Sequence, residues 1–373
     1  MIINPIERFY IEDIKKSEKN KKIRFENNDT RKSIIDFFDN KKELIDQYNK
    51  LKEIAKASII KAQIYVRSKY GDSSVSLREI RRFSIFYEFF VNYLRKKRNL
   101  FQDMEINEFS DMRDIFYKNL KDYDIYKYSI NLSVYICYYL RLTNKNYREE
   151  FTLEMNKIFG FDFEEIPKRE EKYIVDNIEM KEGIAKNRAL LENIFSLFVC
   201  INAKVPLFIV GKPGCSKSLS VQLLYKSMKG EEYSDNKLFN NLPKLMLTPF
   251  QGSLSSTSEG VQKVFKIARK NLENKNKTKE EIISMIYFDE MGLAEHSINN
   301  PLKVIHSELE YDLNEGSKKI AFVGISNWIL DASKMNRGIY LSINPPDLKD
   351  LIETSETIAK TYDDTLASKN KEF

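Results

Sequence analysis

Two hydrophobic rhythms divide the chain. Up to about residue 165, apolar positions return every three or four residues among Lys, Asn and Glu, the period of an amphipathic helix. Leu44, Tyr48, Leu51, Ile54, Ile59 and Ala62 mark one such face, and Ile80, Phe83, Tyr87, Phe90 and Leu94 a second. Further helices are expected around Phe109–Leu120, Ile130–Leu140 and Phe151–Phe159. Ser76-Leu-Arg-Glu79 reads as a capping box that opens the second face, with Ser76 at the N-cap and Glu79 at N3. Little in this half alternates as a strand does, and no internal repeat is visible. The abundant Tyr and Phe fall on the apolar stripes, which makes them core residues rather than base-stacking platforms. Lys/Asn-rich stretches at 17–22 and 274–281 read as polar loops.

After Pro167 short apolar runs alternate with helical patterns. Strands are expected at 207–210, 245–248, 284–288, 320–325 and 339–343. Helices are expected at 183–201, 217–228, 259–274 and 301–313, the last with Asn300 as N-cap and Pro301 at N1. Continuous apolar strands separated by helices belong to a parallel sheet covered on both faces. The fold class is therefore α/β, of a nucleotide-binding type, preceded by an all-α domain.

Composition narrows the function classes. A chain of 373 residues has room for roughly two or three domains. Its 61 basic and 55 acidic residues give +6, but the two signs are interleaved and no basic stripe marks a nucleic-acid face. Three cysteines (Cys137, Cys200, Cys215) and two histidines (His296, His306) cannot build a multi-disulfide framework or a Cys/His zinc cluster. That balance favours a reducing, cytoplasmic setting. No secretory signal opens the chain, and no run approaches the roughly 18 apolar residues of a membrane span, so a soluble protein is expected.

The chemistry gathers at strand ends. Gly211-Lys212-Pro213-Gly214-Cys215-Ser216-Lys217-Ser218 follows an apolar strand and opens a helix that continues with Leu219, the setting of a Walker A phosphate loop. Backbone N–H groups there converge on phosphate oxygens, and the helix dipole favours negative charge. Lys217 is expected to reach the β- and γ-phosphates, and the Ser218 hydroxyl to ligate Mg²⁺. Ser216 stands where the pattern has its second glycine, with a steric penalty if that position needs a positive φ. Cys215 is read as a small space-filling residue, although a thiolate is favoured near a helix N-terminus.

About seventy residues on, an apolar strand ends in Asp289-Glu290, at the sheet edge where ligands sit in open parallel sheets. Asp289 is expected to join the Mg²⁺ shell and Glu290 to polarise the water that attacks the γ-phosphate. Taken singly, the loop could be an ordinary strand-to-helix turn and the acids a helix cap; in this order, each on a strand end, they point to nucleoside-triphosphate binding. Asn327, after the next strand, is either a turn former or a sensor of the γ-phosphate. Arg337 is either a surface ion-pair partner or an arginine finger for a neighbouring site.

The set 211–218, Asp289-Glu-Met-Gly-Leu-Ala-Glu295, Gly324-Ile-Ser-Asn-Trp328 and Lys334-Met-Asn-Arg-Gly338 resembles the dynein-like AAA+ modules of the mysterin family of E3 ubiquitin ligases. Ile184–Asn193 and Pro249–Gly260 fit the same family, and Ser at the second glycine position is part of its loop. The resemblance implies a core of five parallel strands, ATP with Mg²⁺ as cofactors, and neighbouring AAA+ modules in a ring as partners. Ubiquitin machinery enters by resemblance alone, since these residues hold no ligase chemistry. Residues 1–165 then resemble the helical lid of a preceding module, 166–350 the AAA+ P-loop NTPase core, and 351–373 the start of a truncated lid. Arg78 resembles a sensor-2 arginine aimed at a nucleotide on another core; its alternative is a solvated first-turn arginine, although a cation there opposes the helix dipole. An ATPase module is the leading expectation. A structural ATP clamp without turnover and a nucleic-acid-dependent NTPase are the alternatives.

Overall fold

The computed structural model describes residue 8 and residues 30–103, 112–230, 237–274, 281–311, 319–331, 334 and 336–369. They fall into two compact units, one of residues 1–139 with 144–167, the other of 140–143 with 168–373.

The first unit is helical: α1 (Thr30–Tyr70), α2 (Leu77–Gln102), α3 (Met112–Lys118), α4 (Asp122–Val134) and α5 (Lys145–Phe159). The two apolar faces read from the sequence lie within α1 and α2. The helix expected at 130–140 is interrupted, because α4 ends at Val134 and Tyr135–Tyr139 continues as a π turn. Of the helix expected at 109–120, residues 109–111 lie outside the described residues, as does the stretch 17–22. Ser76 caps α2: its Oγ accepts from the Arg78 amide at 3.2 Å, and its own amide donates to Glu79 at 2.6 Å. Aromatic packing explains the Tyr/Phe density. Phe83, Phe86, Tyr87 and Phe90 of α2 are fully buried, and Phe163 meets the rings of Tyr139, Phe151 and Phe159 at 5.7 to 5.9 Å. A charge-rich helix that the apolar pattern did not announce, α6 (Glu165–Asp176), follows.

The second unit runs α7 (Arg188–Ala203), β1 (Leu207–Gly211), α8 (Lys217–Ser227), α9 (Lys237–Asn240), β2 (Lys244–Gln251), α10 (Ser258–Asn274), β3 (Ile282–Asp289), α11 (Met291–Glu295), α12 (Lys303–Tyr311), β4 (Ala321–Ser326), β5 (Ile339–Ile343) and α13 (Leu348–Lys369). All five expected strands form one sheet in the order β2-β3-β4-β1-β5, every neighbouring pair parallel. β1 is buried throughout, with Leu207 level with Val323 on one side and Ile339 on the other. Phe208, Phe265, Ile286, Phe288, Ile305 and Phe322 belong to one apolar cluster built on the sheet.

Two helix starts differ from expectation. α7 begins at Arg188, because Asn187 caps it by accepting from the Leu190 amide at 3.0 Å, while Gly183 is already left-handed at φ 84°. Asn300 is not an N-cap: it is left-handed (φ 45°), Pro301 and Leu302 form a turn, and α12 starts only at Lys303. α13 is opened by reciprocal bonds, Asp350 N to Asp347 Oδ1 at 2.9 Å and Asp347 N to Asp350 Oδ2 at 3.2 Å.

Candidate nucleotide-binding site

The loop after β1 is shaped by close approach and by two left-handed residues. A Cβ on Gly211 would lie 3.1 Å from both Cβ and O of Ile343, so glycine lets β1 and β5 close at their ends. Lys212, Pro213 and Gly214 form the exposed tip, where Gly214 turns the chain at φ 86°. Ser216 adopts φ 54°, ψ 18°. The place of the absent glycine therefore does need the left-handed conformation, and serine takes it at a cost of about 1–2 kcal/mol. Its carbonyl is fixed by the Ser220 amide (2.9 Å) and hydroxyl (2.7 Å).

Cys215 faces inward. It is 2% exposed, its Sγ donates to the Asn344 carbonyl at 3.6 Å, and its carbonyl accepts from Asn193 Nδ2 at 3.0 Å. Burial pushes its thiol pKa up, with the Lys217 charge acting the other way. This is a space-filling thiol, not a thiolate. Lys217 opens α8 with a side chain only 6% exposed, its ammonium donating to the carbonyls of Gly211 and, at 2.9 Å, Lys212. Burial lowers its pKa; Cys215, Glu290 and Asp289 pull it back up. Leu219, in the first turn of α8, is half-buried.

β3 delivers the acids to the same edge. Asp289 accepts from the Tyr287 hydroxyl on Oδ2 (2.8 Å) and from the Glu290 amide on Oδ1 (2.9 Å). Burial raises the pKa of Tyr287. Glu290 turns the chain out of the strand at φ 52°. Its carboxylate receives the Asn327 amide nitrogen on both oxygens, each at 3.1 Å. Gly252 braces this turn: its amide donates to the Asp289 carbonyl at 2.8 Å, and a Cβ there would lie 2.3 Å from the Glu290 carbonyl oxygen.

The remaining motif residues form a support behind the acids. A Cβ on Gly292 would fall 2.4 Å from the Trp328 ring, and one on Gly324 2.1 Å from Met291 Sδ. Glu295 binds Lys334 at 2.7 Å and the Asp331 amide at 3.0 Å, tying α11 to the segment beyond Asn327.

Five sequence-predicted residues thus share the C-terminal edge of the sheet: Lys217, Ser218, Asp289, Glu290 and Asn327. Arg337 is elsewhere. It precedes β5, whose Ile339 amide donates to the Pro206 carbonyl at 2.7 Å, at the opposite end of β1 from the loop. At roughly 3.3 Å per residue, a strand's length separates it from this chain's own site. Arg78 lies in the helical unit, exposed on the first turn of α2. Sequence reasoning missed the roles of Asn193, Gly252 and Tyr287. Tyr287 was detectable, since residues two apart on a strand share a face and Asp289 lies two further on.

The donor set suits a magnesium nucleotide. Ser218 and Asp289 are hard oxygen donors, and a buried ammonium stands at the mouth of a loop with a left-handed turn and a helix start. No cluster of three or more His, Cys, Asp or Glu able to hold a metal exists among the described residues. An ion here would therefore complete its shell from phosphate and water, as Mg²⁺ does at nucleotide sites.

This sheet order, with a lysine-bearing loop after β1 and an acid pair at the end of β3, defines an AAA+ fold. Residues 183–350 match the family model described as RNF213 AAA domain. E3 ubiquitin-protein ligase rnf213-beta of Danio rerio is 36% identical over 312 residues, covering 80% of this chain. E3 ubiquitin-protein ligase RNF213 is 35% identical over 302 residues in Homo sapiens and 32% over 342 in Mus musculus, covering 78% and 84% of this chain. The chain spans about 6% of the length of each of these relatives. It carries an AAA+ module of the mysterin (RNF213) family, and an AAA domain is a nucleotide-binding domain. Among the described residues, no helix is long and apolar enough to cross a membrane.

Proposed function

We propose that this chain is an ATP-binding and ATP-hydrolysing AAA+ module within the motor core of a mysterin-like E3 ubiquitin ligase. The observation that carries the reading is the convergence of Lys217, Ser218, Asp289, Glu290 and Asn327 on one sheet edge, with Asn327 spanning both Glu290 oxygens. Lys217 holds the β- and γ-phosphate oxygens of ATP, and the left-handed turn at Ser216 aims loop amides at the same phosphates. Ser218 and Asp289 hold Mg²⁺, which when bound neutralises phosphate charge. Glu290 orients the attacking water and takes its proton on a carboxylate oxygen, while Asn327 fixes the carboxylate plane.

Arg337, remote from its own loop, serves the site of a neighbouring module in a ring, and Arg78 serves a nucleotide on another core. Ubiquitin transfer belongs to the longer relatives by their names, and no residue here is assigned to it. No disulfide joins Cys137, Cys200 and Cys215, which suits a reducing compartment such as the cytoplasm.

A second reading rests on the same contact. With both Glu290 oxygens held by Asn327, a module in which that pair never opens would bind ATP as a clamp without turning it over. Phosphate release measured with neighbouring modules present separates the two. Release that falls with Glu290→Gln supports hydrolysis; tight ATP binding with no release in the unaltered protein selects the clamp.

A further inference from the structure

β3 places Tyr287 and Asp289 on one face. Tyr287 has a single hydroxyl hydrogen, and it is given to Asp289 Oδ2 at 2.8 Å. Since Asp289 Oδ1 is already engaged by the Glu290 amide at 2.9 Å, the phenol fixes the remaining oxygen and the plane of the carboxylate.

Groups hydrogen-bonded to a ligating carboxylate set its orientation and tune its hold on the ion. We propose that Tyr287 is a positioning residue for the divalent cation. It donates to the Asp289 carboxylate and locks it in place beside that metal. The proposal rests on the nucleotide-site reading above. Tyr287 touches no reacting atom and acts through Asp289.

The test is a magnesium titration of fluorescent N-methylanthraniloyl-ATP binding to the 373-residue chain, with a chelator control. Tyr287→Phe keeps the ring and removes one oxygen. It is expected to raise the free Mg²⁺ at half-effect about three- to tenfold while leaving magnesium-free nucleotide affinity within about twofold. Asp289→Ala should raise the midpoint too, and the double variant should go no further than Asp289→Ala alone, because Tyr287 acts through that carboxylate. Tyr287→His, whose ring can both donate and accept, should fall between Phe and Tyr, and it supplies the test should the Phe variant not fold. An unchanged midpoint, equal weakening with and without Mg²⁺, or additive single and double variants would overturn the proposal. Lys217→Ala separates the levels. If it abolishes binding while Tyr287→Phe leaves the midpoint alone, only the role of Tyr287 is wrong; if it leaves binding intact, the site itself is wrong.

Discussion

Asn327 holds Glu290 by both carboxylate oxygens, each 3.1 Å from its amide nitrogen. The two residues stand one position beyond the ends of β4 and β3, which are paired neighbours, so the sheet brings them together. Glu290→Gln should lower ATP turnover by about a hundredfold or more while leaving binding intact, as removal of a general base does. Asn327→Ala should cost turnover about tenfold, since it removes orientation and leaves the acid. Steady-state phosphate release together with a nucleotide-binding isotherm checks both, and loss of binding in Glu290→Gln would count against its assigned role.

Ser216 carries backbone strain that glycine would relieve. Ser216→Gly should raise stability by about 0.5–1 kcal/mol, the left-handed penalty less the greater freedom of glycine in the unfolded chain. Ser216→Val should do the opposite, because a β-branched residue at φ 54° clashes with its own backbone. Thermal melting of the three proteins orders them Gly, Ser, Val if the loop is built as described.

Asn193 props the loop from beneath, its amide donating to the Cys215 carbonyl inside a fully buried stretch of α7. Asn193→Leu should destabilise the chain by about 1–3 kcal/mol, because it leaves a buried carbonyl without its donor. The nucleotide should also bind more weakly. Urea unfolding and a binding isotherm read the two effects separately; a variant altered in neither would show that this prop is dispensable.

Cys215 should be a slow thiol. Burial raises its pKa above the ordinary value, so at neutral pH it holds less thiolate than a free cysteine. Alkylation by iodoacetamide, followed by peptide mass analysis, should climb only at alkaline pH, above the ordinary thiol range. The sign for stability is the matching one. The folded state keeps its proton longer than the unfolded state does, so stability falls as pH rises from the ordinary thiol value towards the raised one. Fast labelling at neutral pH would contradict the inward placement.

Much of this was readable in the residues. Each of the five strands announced itself as an apolar run, because a sheet covered on both faces leaves little room for polar positions. The loop and the Asp289-Glu290 pair were legible because their chemistry demands particular residue types at strand ends. α6 was not, since its Lys/Glu-rich sequence hides the helical stripe among charges. Asn300 misled because Asn serves equally as a cap and as a left-handed turn residue, and only the backbone decides between them. Gly252 and Asn193 act through carbonyls of residues far away in sequence, and such partners carry no local pattern.

The most direct measurement is the affinity of Lys217→Ala for magnesium ATP beside that of the unaltered chain. Lys217 is a buried ammonium whose burial lowers its pKa, a placement that water alone would disfavour. With the lysine gone, affinity should drop at least about tenfold, the loss of one charge-assisted contact to phosphate. Undiminished affinity in the variant would mean that the triphosphate does not lie in this loop.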